Sequence, residues 1–178
     1  MSIKLHRVYF SFDKEEKWLN ELAAQGLLFE RYTFCTYYFT QGTPGEYLYR
    51  IELLDNLPGH PKSIEYLQFV EETGAEVLCT YFRWVFFRRR TELGPFDLYS
   101  DNSSKIAHYW RVISLLGIVG LLNLFIGLCD IVQVLVTGTD TFTGLSVLNL
   151  VLGSGLCGLC LRYLRKIRLL KKERMIHE

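Results

Sequence analysis

The chain has 178 residues, with 20 Lys and Arg against 19 Asp and Glu, so its formal net charge is +1 and no overall field recruits nucleic acid. Its five cysteines are an odd number and argue against a disulfide framework. Apolar runs are concentrated after residue 109, which leaves roughly 100 residues for one soluble domain with a single core.

The first half of the chain alternates between strand and helix patterns. Alternating apolar residues predict a strand over residues 3–12, and Asp13 with Glu16 has the capping-box spacing of a helix that ends at Gly26. The remaining elements expected in this half are a β-rich stretch at 27–39 with a bend near Cys35, a turn at 41–45, a strand at 47–54, a helix at 62–73, a strand at 76–88 and a short strand at 96–99. This β-α-β-β-α-β order with an extra strand predicts an α+β, ferredoxin-like domain over residues 1–100, and no internal repeat is evident.

Two long apolar runs follow, and neither has the polar stripe of a soluble core helix. A helix needs about 20 residues to cross the hydrocarbon core of a bilayer. We therefore expect a linker at 101–108, a transmembrane helix at 109–136, an extracytoplasmic loop at 137–143, a second transmembrane helix at 144–164 and a basic tail at 165–178.

Basic residues predict the orientation of this hairpin. Arg111 lies before the first run and many Lys and Arg follow the second, whereas the connecting loop has neither. The positive-inside rule then places both termini in the cytoplasm.

Small and polar residues at heptad-like spacing predict a contact seam between the two helices. Glycines allow close approach, and Asn123 and Asn149 fall at similar depth and are expected to touch. The same seam used for homo-oligomerisation, or as a polar ligand or ion site, is an alternative. Cys157 and Cys160 match C-x-x-C but lie in an apolar helix and are interpreted as packing residues. The seam positions are Gly120, Asn123, Gly127, Ser146, Asn149 and Gly153.

The tail is interpreted as a basic flank of the second helix, or as an amphipathic helix held on anionic membrane lipid. The basic residues expected to face lipid are Arg165, Lys166, Arg168, Lys171 and Lys172.

Alternation also predicts an open sheet face that carries several charges. A salt-bridged surface is the plain interpretation, and a site for an anionic small molecule or an acidic partner segment is the sharper one. The signature run of RNA-binding sheets is absent, so no nucleic acid is expected. The predicted outward residues are Arg7, Tyr9, Arg50, Glu52 and Arg83.

Four segments together resemble the domain of unknown function 2812 family: FDKEEKWLNELAAQGLL (12–28), EYLYRIEL (46–53), ETGAEVL (72–78) and LYSDNSSK (98–105). One departure is Ala75, where the family usually has Trp after the helix-ending glycine. The resemblance implies a bacterial membrane protein, often encoded beside PadR-type transcriptional regulators, and supplies no catalytic residues.

Signatures of enzymes are lacking: the four histidines are scattered, and neither a phosphate-binding loop nor a nucleophile elbow occurs. We expect no metal and no cofactor. The leading hypothesis is a two-pass protein of the bacterial cytoplasmic membrane whose cytoplasmic domain binds a ligand or protein partner, as a sensor or adaptor linked to transcriptional or envelope regulation. The alternative is a small membrane-associated enzyme or a transporter accessory subunit.

Overall fold

The structure, a computed structural model, describes residues 3–98, 102–138 and 143–177. The chain divides into two compact units, Met1–Ser100 and Asp101–Glu178. The first is called the α+β unit below and the second the helical unit.

Residues 3–98, the described part of the α+β unit, contain six strands in two antiparallel sheets. Sheet 1 has the strand order β1-β3-β2 and sheet 2 the order β4-β6-β5. The elements are β1 (Ile3–His6), α1 (Phe12–Ala24), β2 (Leu27–Thr33), β3 (Thr36–Gln41), β4 (Tyr47–Leu53), α2 (Pro61–Glu72), β5 (Ala75–Tyr81) and β6 (Trp84–Arg90), followed by a 3-10 turn at Thr91–Leu93.

This order is one βαββ unit used twice, with an offset of 48 residues. Gly26 (φ 85°) lies between α1 and β2, and Gly74 (φ 84°) lies at the equivalent position between α2 and β5. Strands β2 and β5 each carry a bulge, after Phe29 and after Val77 respectively. The duplication lies in the backbone, and the side chains that fill the two copies differ.

The α+β class followed by a helical hairpin is confirmed, whereas the strand layout differs from the expected one. The stretch 27–39 is a hairpin whose turn at 34–35 confirms the expected bend near Cys35, whereas 76–88, expected as a single strand, is a hairpin with a turn at 82–83. Cys35 adopts φ 57° in the first turn, and its N–H donates to the hydroxyl of Tyr32 over 3.0 Å, which fixes the reversal. The first strand ends at His6, and residues 96–98 are not a strand.

Sheet 1 packs its inner face on α1 and on one face of sheet 2. Phe29 lies at the centre of this core, with ring centroids 5.8 Å from Phe39, 5.9 Å from Tyr49 and 5.3 Å from Phe86. Leu19 and Ala23 of α1 are fully buried in the same cluster. These aromatic contacts join the two repeats into one domain.

Sheet 2 is covered on its other face by α2, where Val70, Val85, Phe87 and Phe96 are buried together. Sheet 2 is therefore buried on both sides. Sheet 1 keeps an exposed outer face, which carries Lys4, His6 and Arg31.

Helix α1 also protects the free edge of β4. The side chain of Asn20 accepts from the Tyr49 N–H over 2.8 Å and donates to its carbonyl over 3.0 Å. Glu16 accepts from the N–H of Ile51 over 3.0 Å. An exposed strand edge is a template for aggregation, and these side chains occupy it.

The helical unit consists of two long antiparallel helices, α3 (Asn102–Thr137) and α4 (Thr143–His177). Both are long and apolar enough to span a membrane, and only 17% of the most apolar window of each is buried. Helix α3 begins at Asn102, so most of the expected linker is helical, and α4 continues through the expected tail. Of the loop, 139–142 lie outside the described residues.

Candidate functional site

The five residues predicted for an open face do not form one patch. Arg7 and Tyr9 lie beyond the end of β1, in the connection to α1. The guanidinium carbon of Arg7 lies 5.0 Å from the ring centroid of Tyr9 and 5.1 Å from that of Trp18. Arg7 therefore lies over an aromatic pair, where a cation is attracted to the ring faces.

Arg50 is held by an ion pair. Its Nη1 lies 3.3 Å from Oε1 of Glu16, and both side chains are about one quarter exposed. Burial raises the pKa of Glu16 to about 7, a rise that Arg50 and the Ile51 N–H oppose. Since Glu16 also protects the β4 edge, the ion pair gives Arg50 a structural role in addition to the predicted role in ligand binding.

The prediction that Glu52 faces outward is wrong. Glu52 is 2% exposed and accepts a hydrogen bond of 2.5 Å from the hydroxyl of Tyr66. It lies on the face of sheet 2 that α2 covers, and local alternation could not reveal that cover. Arg83 lies in the β5–β6 turn, where its Nε donates to the carbonyl of Leu54 over 2.8 Å.

The open face lies instead on sheet 1, at residues that sequence reasoning missed. Lys4, Tyr38 and Arg31 form one cross-strand row through the registers Lys4↔Tyr38 and Arg31↔Tyr38. The Lys4 Nζ is 5.6 Å and the Arg31 guanidinium carbon 4.0 Å from the ring centroid of Tyr38. Two cations thus flank one ring, and we call this set the Lys4–Tyr38–Arg31 row.

Hydroxyl groups continue the same face. A hydrogen bond from Thr33, together with the charges of Arg31 and Lys4, lowers the pKa of the Tyr38 hydroxyl. Thr36 Oγ1 and His6 Nδ1 lie 3.0 Å apart in the adjacent row. The exposed cations Lys4 and Arg31, with the half-buried Tyr38 hydroxyl between them, suit anionic groups such as carboxylates or phosphates. Polar residues at every second position, Lys4 and His6 in β1 and Tyr38 and Thr40 in β3, are the sequence signal that could have identified this face of sheet 1.

A second cluster surrounds a carboxyl group on α1. The hydroxyl of Tyr37 donates to Glu15 over 2.6 Å, and burial raises the pKa of Glu15 to about 7 against that bond. The ring of Tyr37 packs on Trp18 at 4.9 Å and on Tyr32 at 4.8 Å. Burial raises the pKa of the nearby Cys79 thiol to about 11 and keeps it unreactive. A half-buried carboxyl with a shifted pKa among rings is a candidate proton-transfer group.

In the helical unit, the predicted glycines lie where the helices approach. A Cβ on Gly153 would be 2.7 Å from Leu124 Cγ and 2.9 Å from the Gly120 carbonyl oxygen. A Cβ on Gly127 would be 3.1 Å from the Ser146 carbonyl oxygen. Small residues therefore set the helix separation.

The expected bond between Asn123 and Asn149 is not formed by the Asn123 amide nitrogen, which donates within its own helix to Val119 over 2.8 Å. A serine or amide in a helix readily bonds the carbonyl one turn back. Among the described residues, one polar bond that does cross between the helices is the one that Ser146 Oγ donates to Asp130 Oδ2 over 3.1 Å. Asn149 is half-buried.

Near the basic end of α4, Tyr109 and Tyr163 stack with ring centroids 5.6 Å apart, and the Lys166 Nζ lies 5.6 Å from the Tyr109 ring. Cys160 is buried and donates to the carbonyl of Ile113 over 3.7 Å, consistent with packing. The exposed basic side chains along this stretch are Arg162, Arg165, Lys166, Arg168, Lys171 and Lys172.

Within residues 3–98, 102–138 and 143–177, no three His, Cys, Asp or Glu side chains are grouped so that they could hold a metal ion. The fold thus defines a class, a small α+β domain of two βαββ repeats joined to a pair of long apolar helices. The chain belongs to the family described as "Protein of unknown function (DUF2812)", which matches residues 11–121, as the resemblance predicted. No curated protein and no solved structure matches the chain.

Proposed function

We propose that this chain is a two-pass membrane protein whose α+β unit binds an acidic protein segment and so connects a partner to the membrane. The Lys4–Tyr38–Arg31 row is the observation that carries the proposal. It supplies two cations on one ring, on a face of sheet 1 where Lys4 and Arg31 are exposed and Tyr38 is half-buried. Carboxylates of a partner chain would pair with both cations while its backbone follows the sheet.

The helical unit supports the membrane part of the proposal. Two helices have the length and composition of membrane spans, and their apolar side chains are mostly exposed. The stretch after residue 161 is rich in Lys and Arg, whereas the described part of the connection between the helices has none, which favours cytoplasmic termini. A sensor or adaptor role, with a PadR-type regulator as candidate partner, extends the proposal through the family resemblance.

Photocrosslinking from sheet 1 tests this role. A photoreactive phenylalanine analogue at position 38 of the full chain should trap a partner in the native host. The double change Lys4→Glu with Arg31→Glu should abolish the adduct by charge repulsion. Lys17→Glu, a change of a 79% exposed cation on α1, is the matched control and should leave it. An adduct of equal yield in the folded double variant contradicts the assignment.

A small membrane-associated enzyme is the second candidate, favoured by Glu15. Its carboxyl, with a pKa near 7 and a bond from Tyr37, has the protonation behaviour of a general acid or base. An enzyme of this kind would lose turnover in Glu15→Gln while the Lys4–Tyr38–Arg31 row stayed dispensable. If binding is detected without turnover, and is lost only when the Lys4–Tyr38–Arg31 row is changed, the result favours the adaptor.

A further inference from the structure

One end of the α+β unit gathers four connections between elements. In sheet 1, the register His6↔Thr36 places the end of β1 beside the β2–β3 turn, and the Arg7 N–H donates to the Cys35 carbonyl over 3.0 Å. In sheet 2, the register Leu53↔Trp84 places the end of β4 beside the β5–β6 turn.

Contacts between the sheets bring these two pairs together. The rings of Tyr32 and Tyr81, which precede the two turns, have centroids 5.1 Å apart. Phe12, the first residue of α1, lies 6.0 Å from Trp84, the first residue of β6. The two loops and two turns therefore share one end of the unit.

Each of these connections exposes large apolar side chains. We call the set the loop end, and its members with their exposed fractions are Val8 (58%), Phe10 (64%), Phe34 (77%), Leu57 (61%) and Phe82 (74%). Single exposed apolar residues are ordinary, but a group collected at one end marks an interaction site.

The two most exposed members occupy equivalent positions in the two repeats. Phe34 and Phe82 are 48 residues apart, and each lies at the tip of a β-hairpin. The backbone of Phe82 itself has φ 54°, a conformation that β-carbon-bearing residues seldom adopt. A turn built only for chain reversal would favour Gly, Asn or Asp at such sites. Phenylalanine at both tips therefore favours an apolar contact over a role in chain reversal alone.

Among the exposed charged side chains of these connections and the helical turns that follow them, basic residues outnumber acidic ones. Arg7, Lys14 and Lys62 are exposed in the loops and first helical turns, against the exposed Asp55. The half-buried Arg83 and Asp13 add one charge of each sign, and Glu15 is bonded to Tyr37. Apolar tips rimmed by cations complement an anionic lipid surface, which offers both an apolar interior and negative headgroups.

We propose that the loop end docks on the anionic bilayer in which the helical unit lies, with Phe34 and Phe82 entering the interfacial layer. This rests on the proposed membrane span of the hairpin. Three residues join Leu98 to Asn102, so a bilayer around α3 is present at high effective concentration. Separate protruding tips suit a fluid lipid layer better than the flat, closely packed face of a protein partner. The Lys4–Tyr38–Arg31 row remains free for its own ligand.

The test uses the full chain in vesicles of phosphatidylglycerol and phosphatidylcholine that contain bromine-labelled lipid. Phe34→Trp and Phe82→Trp should each add fluorescence that is blue-shifted and quenched by the brominated tails. Leu93→Trp is the matched control, because Leu93 is 58% exposed after β6, at the opposite end of the unit, and its added signal should escape quenching. Quenching should weaken in pure phosphatidylcholine and at high salt.

The outcomes separate the two proposals. If the Phe34→Trp and Phe82→Trp signals are quenched no more than the Leu93→Trp signal, docking is wrong even though the native Trp110 is quenched in the bilayer. If Trp110 also escapes quenching, the membrane span itself fails. A blue shift that persists without brominated-lipid quenching and grows with protein concentration overturns the lipid assignment in favour of a second copy.

Discussion

Replacing Glu15 by Gln should make the stability of the α+β unit less dependent on pH. The pKa of Glu15 rises on folding from an ordinary 4.5 to about 7, mainly through burial. The folded state therefore favours the protonated carboxyl. Its stabilising contribution is full below pH 4.5 and is lost as the pH rises through 7.

The size of this effect follows from the shift. A difference of about 2.5 pKa units corresponds to about 3 kcal/mol at 1.36 kcal/mol per unit. Gln carries no charge and keeps a carbonyl oxygen that can accept from Tyr37. Relative to that of wild type, the free energy of unfolding of Glu15→Gln should therefore increase by about 3 kcal/mol as the pH rises from 4.5 to 8. The pKa of Glu16 is also raised to about 7, so some pH dependence should remain.

Urea unfolding of the full chain in detergent micelles measures this difference. Fluorescence of Trp18 and Trp84 reports on the α+β unit once Trp110 is changed to Phe. Glu21→Gln, on the exposed side of the same helix, is the control and should follow the wild-type curve. A Glu15→Gln curve parallel to wild type across this range would refute the account of a buried carboxyl.

Two further changes probe the fold. Asn20→Ala should destabilise the α+β unit by roughly 1 to 3 kcal/mol, because the N–H and carbonyl of Tyr49 on the β4 edge lose their hydrogen-bond partner. Unfolding in urea measures this loss, and an unchanged midpoint would contradict the edge-protecting role. Gly153→Leu should separate α3 from α4 and lower the resistance of the hairpin to dodecyl sulfate, whereas Gly158→Leu should not, because no described atom of α3 lies within 4 Å of a Cβ at that position. Equal losses in both variants would contradict the seam.

Local sequence patterns predicted the helices of the α+β unit well and its hairpins poorly. Gly26 indicated the end of α1, which spans Phe12–Ala24, whereas the expected capping box of Asp13 and Glu16 is wrong, because the N-cap is Ser11 and Glu16 accepts from the Ile51 N–H. The bend near Cys35 is predicted from the sequence, whereas the turn at Phe82 contains none of the usual turn residues, so the second hairpin is predicted as a single strand. The duplication is not evident in the sequence because the βαββ backbone is repeated while most of its side chains are not.

The predicted open face combined residues next to β1 of sheet 1 with residues of β4 in sheet 2, and its error at Glu52 has a non-local reason. Alternation in β4 separates two faces, but it cannot tell that α2 covers one of them and sheet 1 the other. Glu52 was therefore predicted outward, although Tyr66 binds it in the interior. In the helical unit the glycine spacing was sufficient for the seam, whereas hydrogen-bond partners depended on rotamers that the sequence does not show.

The stacking of the two repeats has a consequence for assembly. Phe86 of the second repeat packs into the core of the first, and Tyr38 is its counterpart 48 residues earlier. Such a head-to-tail relation does not close on itself, so an apolar surface at Tyr38 would accept a further repeat from another molecule and start a filament. Lys4 and Arg31 place two cations beside Tyr38 on the face where a third repeat would stack, and charge at this position disfavours such an apolar contact.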